Sequence, residues 1–95
     1  MKRYIYVVGK TKRHITYGNI FRVRNNDIEF VTEFSFNRWS MRGEISEVFN
    51  ALMECGEIPK KYYKSSGKTG ACGDGYFYGE VTKHYDIKEA FLPVV

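Results

Sequence analysis

The triplet Gly67-Lys68-Thr69 ends like a phosphate-binding loop. Such a loop needs another glycine five residues earlier, so that the backbone can wrap the phosphates, and it opens a helix. Tyr62 holds that position, and a strand is expected downstream. Nucleotide hydrolysis is therefore not indicated. His14 and His84 are the only histidines. Imidazole titrates near neutral pH, so the two together would suit the proton shuttle of a small ribonuclease, but nothing in their spacing pairs them. Structural zinc sites take ligands about two to four residues apart. No two of His14, Cys55, Cys72 and His84 are that close, and neither metal nor cofactor is expected. Cys72 lies between Ala71 and Gly73 with no neighbouring histidine or helix start to lower its pKa.

Binding chemistry is better supplied. Residues 56–75 lack apolar periodicity and carry four lysines and five glycines. A structureless stretch of that length in a small domain is usually functional or disordered. Within it, Lys60-Lys61-Tyr62-Tyr63-Lys64 and Lys68 mix cations with flat rings. Such a surface stacks on bases and holds backbone phosphates, and it equally suits a protein interface, where Tyr and Arg are enriched. Lys10-Thr11-Lys12-Arg13-His14 and Lys2-Arg3-Tyr4-Ile5-Tyr6 extend the pattern. The candidate binding residues are therefore Lys10, Lys12, Arg13, Lys60, Lys61, Tyr62, Tyr63, Lys64 and Lys68. Their expected partner is an acidic protein surface or a nucleic-acid-processing complex, with nucleic acid itself as the alternative.

Charge supports an anionic partner. The chain carries a net +4, unevenly spread. Residues 1–24 hold seven basic and no acidic side chains, and residues 60–74 hold four basic and one acidic. Acidic stretches separate them. Binding through one basic patch requires the fold to bring both stretches together. Ninety-five residues make one domain, 1–95, with a modest core. No apolar run is long enough for a membrane span, and no signal peptide is recognised, so a cytoplasmic location is expected. Cys55 and Cys72 are then read as free thiols.

The elements that must position these residues are mostly strands. Lys2 to Val8 alternates and reads as a strand, followed by the basic turn 9–13. Ile15 to Arg24 reads as a second strand with a bulge or bend at Gly18. Asn25-Asn26 fits a two-residue hairpin of the type that needs positive φ at both positions. It sets Arg24 against Asp27, Val23 against Ile28, Arg22 against Glu29 and Phe21 against Phe30. Opposite charges then meet on one face and apolar groups on the other. Ile28, Phe30, Thr32, Phe34 and Phe36 are read as one buried face of a long third strand. Ile45, Val48, Phe49, Leu52 and Met53 form a helical stripe over about 41–55, stopped by Gly56. Tyr76 to Tyr85 reads as a fourth strand. Asp86-Ile87-Lys88-Glu89 resembles a capping box and predicts a short helix through Phe91, ended by Pro93. The expected fold is α+β, an antiparallel sheet of about four strands with one amphipathic helix packed on one face. Its expected core is Phe21, Val23, Ile28, Phe30, Phe34, Ile45, Val48, Phe49 and Leu52.

Tyr17-Gly18-Asn19-Ile20-Phe21-Arg22-Val23 followed by Ile28-Glu29-Phe30-Val31-Thr32 resembles the opening hairpin of small SH3-like β-barrels. In size, Tyr and Phe content and lack of a catalytic signature, the chain is similar to small accessory proteins of bacteriophages. That resemblance implies a non-enzymatic protein that binds and blocks a host nucleic-acid-handling or defence complex.

Overall fold

A computed structural model describes residues 1–37, 39, 44–62 and 81–91. The elements are β1 (Lys2–Lys12), β2 (Ile15–Arg24), β3 (Asp27–Asn37), α1 (Glu44–Glu54), a 3-10 turn (Lys60–Tyr62) and β4 (Tyr85–Glu89). Among the described residues the fold is α+β: the helix α1 and a four-stranded sheet of order β3-β2-β1-β4.

The hairpin register is the expected one, from Arg24 opposite Asp27 to Phe21 opposite Phe30. Of the two turn asparagines only Asn25 has positive φ, 50°. Agreement between the two faces, rather than a paired left-handed turn, therefore sets this register.

The sheet is mixed, not antiparallel throughout. β4 runs parallel to β1, with Lys2 beside Tyr85 and Tyr6 beside Glu89. The stretch that resembled a helix start is thus a strand. Its alternation explains why: Tyr85 and Ile87 pack against the core, while Asp86 and Lys88 point away, Asp86 between Arg3 and Lys88. Pairing gives the open edge of β1 its hydrogen bonds, which a short isolated helix would not. In the predicted fourth strand, residues 76–80 lie outside the described residues. Val81 to His84 turns rather than extends, the His84 N–H donating to the Val81 carbonyl at 3.0 Å.

The core is Tyr4, Tyr6, Ile20, Phe34, Val48, Phe49, Leu52, Met53, Ile58 and Val81. Four expected members are present, and Ile45 packs against them. Ile28 and Phe30 are instead each 58% exposed. A register shift between Ile20 and Phe21 explains the reversal, because Phe30 faces Phe21 while Thr32 faces Ile20. Val31 is the extra residue of a β-bulge, and a bulge exchanges the faces of the residues beyond it. Phe34 and Phe36 therefore turn to the core, while Ile28 and Phe30 turn to the outer face with Phe21 and Val23.

Gly18 pairs regularly with Val8 and Phe34 and makes no bulge. The β1–β2 irregularity falls between Val8 and Thr11. Glycine is required because a Cβ at position 18 would lie 2.5 Å from Phe34 Cε1.

In α1 the predicted stripe supplies the buried side, and Glu44 and Glu47 sit in the first turn, where the helix dipole favours acids. Gly56, at φ 86°, ends it. The Gly56 N–H donates to the Met53 carbonyl at 3.2 Å and the Glu57 N–H to the Leu52 carbonyl at 2.9 Å. This is the Schellman closure, and only glycine takes its left-handed position without cost. The turn delivers Glu57 to the sheet. The Tyr4 hydroxyl donates to Glu57 Oε2 at 2.8 Å, Arg22 pairs with Glu57, and Arg22 Nη1 donates to Glu29 Oε2 at 2.9 Å.

Candidate binding surface

The candidate cations and rings fall at opposite ends of the sheet. Lys10, Lys12 and Arg13 belong to the β1–β2 turn, and all three are exposed. Lys12 and Ile15 close the ladder, so Arg13 and His14 make a two-residue connection, with Arg13 at φ 59°. The β3 end reaches the same place, since Asn37 pairs with Ile15. Trp39 follows, its N–H donating to Asn37 Oδ1 at 2.8 Å. Its indole stacks on the His14 imidazole, centroids 4.8 Å apart and planes 11° apart. The sequence offered no signal for this pair, which lies far apart along the chain and is joined only by strand pairing.

Lys60, Lys61 and Tyr62 lie at the other end. The segment read as structureless forms a 3-10 turn there, with the Tyr62 N–H donating to the Pro59 carbonyl at 3.2 Å. The Tyr62 ring meets Tyr85 edge-on at 6.0 Å and His84 at 6.0 Å. Lys61 Nζ lies 5.3 Å from the centroid of the Tyr62 ring. Burial and then the neighbouring Tyr62 raise the Tyr85 phenol above its ordinary pKa, so it stays neutral. Lys2 pairs with Tyr85. A hollow of about 480 Å³ beside it is lined by Met1, Lys2, Arg3, Arg22, Val23, Arg24 and Asn25. Two of its cations are neutralised, Arg22 by Glu29 and Glu57 and Arg3 by Asp86. No carboxylate among the described residues forms an ion pair with Lys2, Arg24, Lys60 or Lys61.

The strand separates the two groups. From Lys2 to Lys12, at about 3.3 Å per residue, the distance is roughly 30 Å. The described residues therefore do not assemble Arg13 and Lys61 into one recognition area. They instead place Lys2 and Arg24 of the first basic stretch at the same end of the sheet as Lys60, Lys61 and Tyr62 of the second, linked through Tyr85. Tyr63, Lys64 and Lys68 lie outside the described residues.

The same geometry separates the two histidines. His14 lies in the β1–β2 turn, whereas His84 precedes Tyr85 beside Lys2, so they cannot share one scissile bond. Cys55 is a free thiol, and burial pushes its pKa up, away from nucleophilic character. Among the described residues no three His, Cys, Asp or Glu side chains cluster as metal ligands, and no helix is long and apolar enough to cross a membrane. Comparison with protein-family models, with curated proteins and with solved structures found no match.

Proposed function

We propose that the protein acts by binding rather than turnover, docking an acidic surface of a nucleic-acid-handling complex and so inhibiting or regulating it. The observation that supports this reading is that Tyr62, with Lys61 beside it, packs on Tyr85 at the end of the sheet where Lys2 and Arg24 line a hollow. Cations with no acid partner among the described residues give steering toward an acidic surface. A tyrosine braced by Tyr85 and His84 gives a rigid anchor that loses little entropy on docking. In this reading α1 lies across the core face of the sheet, and its Schellman turn, through Glu57, fixes where the 3-10 turn sits.

The test is capture of partners from native extract on immobilised protein. The captured proteins should be components of nucleic-acid-handling complexes. Lys60→Glu with Lys61→Glu should abolish capture with the circular dichroism spectrum unchanged. Retention of the same partners by the double variant would refute the assignment of this end.

A further inference from the structure

The opposite end of the sheet carries a second surface that partner docking leaves unused. Trp39 is 82% exposed. Single exposed apolar residues are ordinary on a protein surface, and what sets this indole apart is the way it is held. One side of the ring is already occupied by His14, at 4.8 Å and nearly parallel. The backbone beneath it is held by Asn37, itself fixed in the ladder opposite Ile15. The indole is therefore presented as a braced platform. The end of β1 and the turn that carries His14 also carry Lys10, Lys12 and Arg13, all exposed, none of which forms an ion pair with a carboxylate among the described residues. Glu33 lines a hollow of about 620 Å³ on the sheet together with Lys10, Tyr17, Asn19 and Ser35.

We propose that this end is a stacking site for a nucleotide unit, with the base on the open face of Trp39 and the phosphate on Lys12 and Arg13. A flat ring flanked by cations is the arrangement that single-stranded nucleic acid uses, stacking for the base and charge for the backbone. An acidic peptide would use the cations and leave the indole without a role. His14 acts as a positioning residue, holding the indole in place. The site shares no residue with the Lys60–Tyr62 end.

Trp39 is the sole tryptophan, so indole fluorescence reports this site alone. The full chain is titrated at low salt with an eight-residue oligothymidylate, thymidine monophosphate, inorganic polyphosphate and poly-glutamate. The oligonucleotide should quench the indole saturably, and the monophosphate only at much higher concentration. Equal quenching by the monophosphate would assign the same site to free nucleotides. Polyphosphate and poly-glutamate should leave the emission unquenched. Trp39→Ala should weaken oligonucleotide binding, read by anisotropy of a labelled strand, about tenfold or more. Trp39→Phe should restore part of that loss. Lys12→Ala and Arg13→Ala should each lower the salt slope by about one. Lys60→Glu with Lys61→Glu should leave quenching intact, which separates failure here from failure of partner docking. Absence of quenching by the oligonucleotide, undiminished binding by Trp39→Ala, or poly-glutamate binding as tightly as the oligonucleotide would overturn the proposal.

Discussion

Replacing Gly18 with alanine places a methyl group where the Phe34 ring now lies. The new Cβ would sit 2.5 Å from Cε1, 2.7 Å from Cζ and 2.7 Å from the Val7 carbonyl oxygen. Comfortable carbon contacts are about 3.5–4.0 Å, so the ring must move by roughly 1 Å. It has little room, because Tyr6 meets it edge-on at 5.7 Å and Phe36 stacks on it at 6.4 Å. The carbonyl belongs to a paired strand and cannot turn aside. Overpacking of this kind costs about 1–3 kcal/mol, and removing a strand glycine returns about 0.5–1 kcal/mol. At the middle of these ranges the net loss is about 1.25 kcal/mol, which in a domain of this size lowers Tm by about 5–10 °C. Gly9→Ala is the control, since its Cβ would meet only the Tyr17 carbonyl oxygen at 3.4 Å. Thermal unfolding followed by circular dichroism compares the two. Gly9→Ala should melt at or slightly above the wild type. A Gly18→Ala protein melting as high as wild type would refute the argument that Phe34 occupies the glycine's missing side chain. A second check is coupling, because Phe34→Ala should relieve part of the Gly18→Ala penalty.

Leu52→Ala removes a fully buried side chain of α1 and should cost about 2–5 kcal/mol in urea unfolding; a midpoint equal to wild type would refute the packing of α1 into the core. Phe34→Ala should cost about 3–5 kcal/mol, whereas Phe30→Ser, on the outer face, should cost well under half as much. Similar losses for the two would deny the change of face at Val31. Gly56→Ala forces a Cβ into the left-handed region and should destabilise by about 1–2 kcal/mol, visible as a lower Tm. Burial, with Glu44 accepting its hydrogen bond, raises the Tyr6 phenol well above 10.0. Above pH 10 the unfolded chain therefore releases this proton while the native state keeps it, and stability falls as pH rises. Tyr6→Phe should flatten that alkaline decline in urea midpoints measured between pH 9 and pH 11, and an unchanged slope would remove Tyr6 as its source.

Legibility tracked how many independent signals agreed. In the β2–β3 hairpin, charge pairing and apolar pairing both selected one register, and that register is present. The stripe from Val48 to Met53 and the stop at Gly56 likewise agreed. The strand faces were harder to read, because both sides of this sheet are apolar. Tyr4, Tyr6 and Val8 alternate with Ile5 and Val7, so composition alone does not say which set is inward. One extra residue at Val31 then exchanged the faces within β3, and no turn residue marks it. β4 was hidden because Asp86 and Glu89 sit at capping-box spacing in a stretch that alternates just as well. At the binding surface, proximity along the chain misled. Lys2 and Lys12 share a strand and stand at its opposite ends, whereas Lys2 and Tyr62 are brought together by β4. The stack of His14 on Trp39 depends on two strand ends meeting, which residue spacing does not encode.

The parallel pairing of β1 with β4 has a consequence for biosynthesis. β1 leaves the ribosome before its partners, and β2 and β3 can zip onto it locally and early. Its other edge stays bare until Tyr85–Glu89 emerges. Closing so long a loop is the slow, entropically opposed step of folding. Throughout that interval the nascent chain exposes an unpaired, tyrosine- and valine-rich edge, the kind that recruits a neighbouring strand. Translation halted before Tyr85 should therefore yield a species that aggregates, even though its hairpin is already formed.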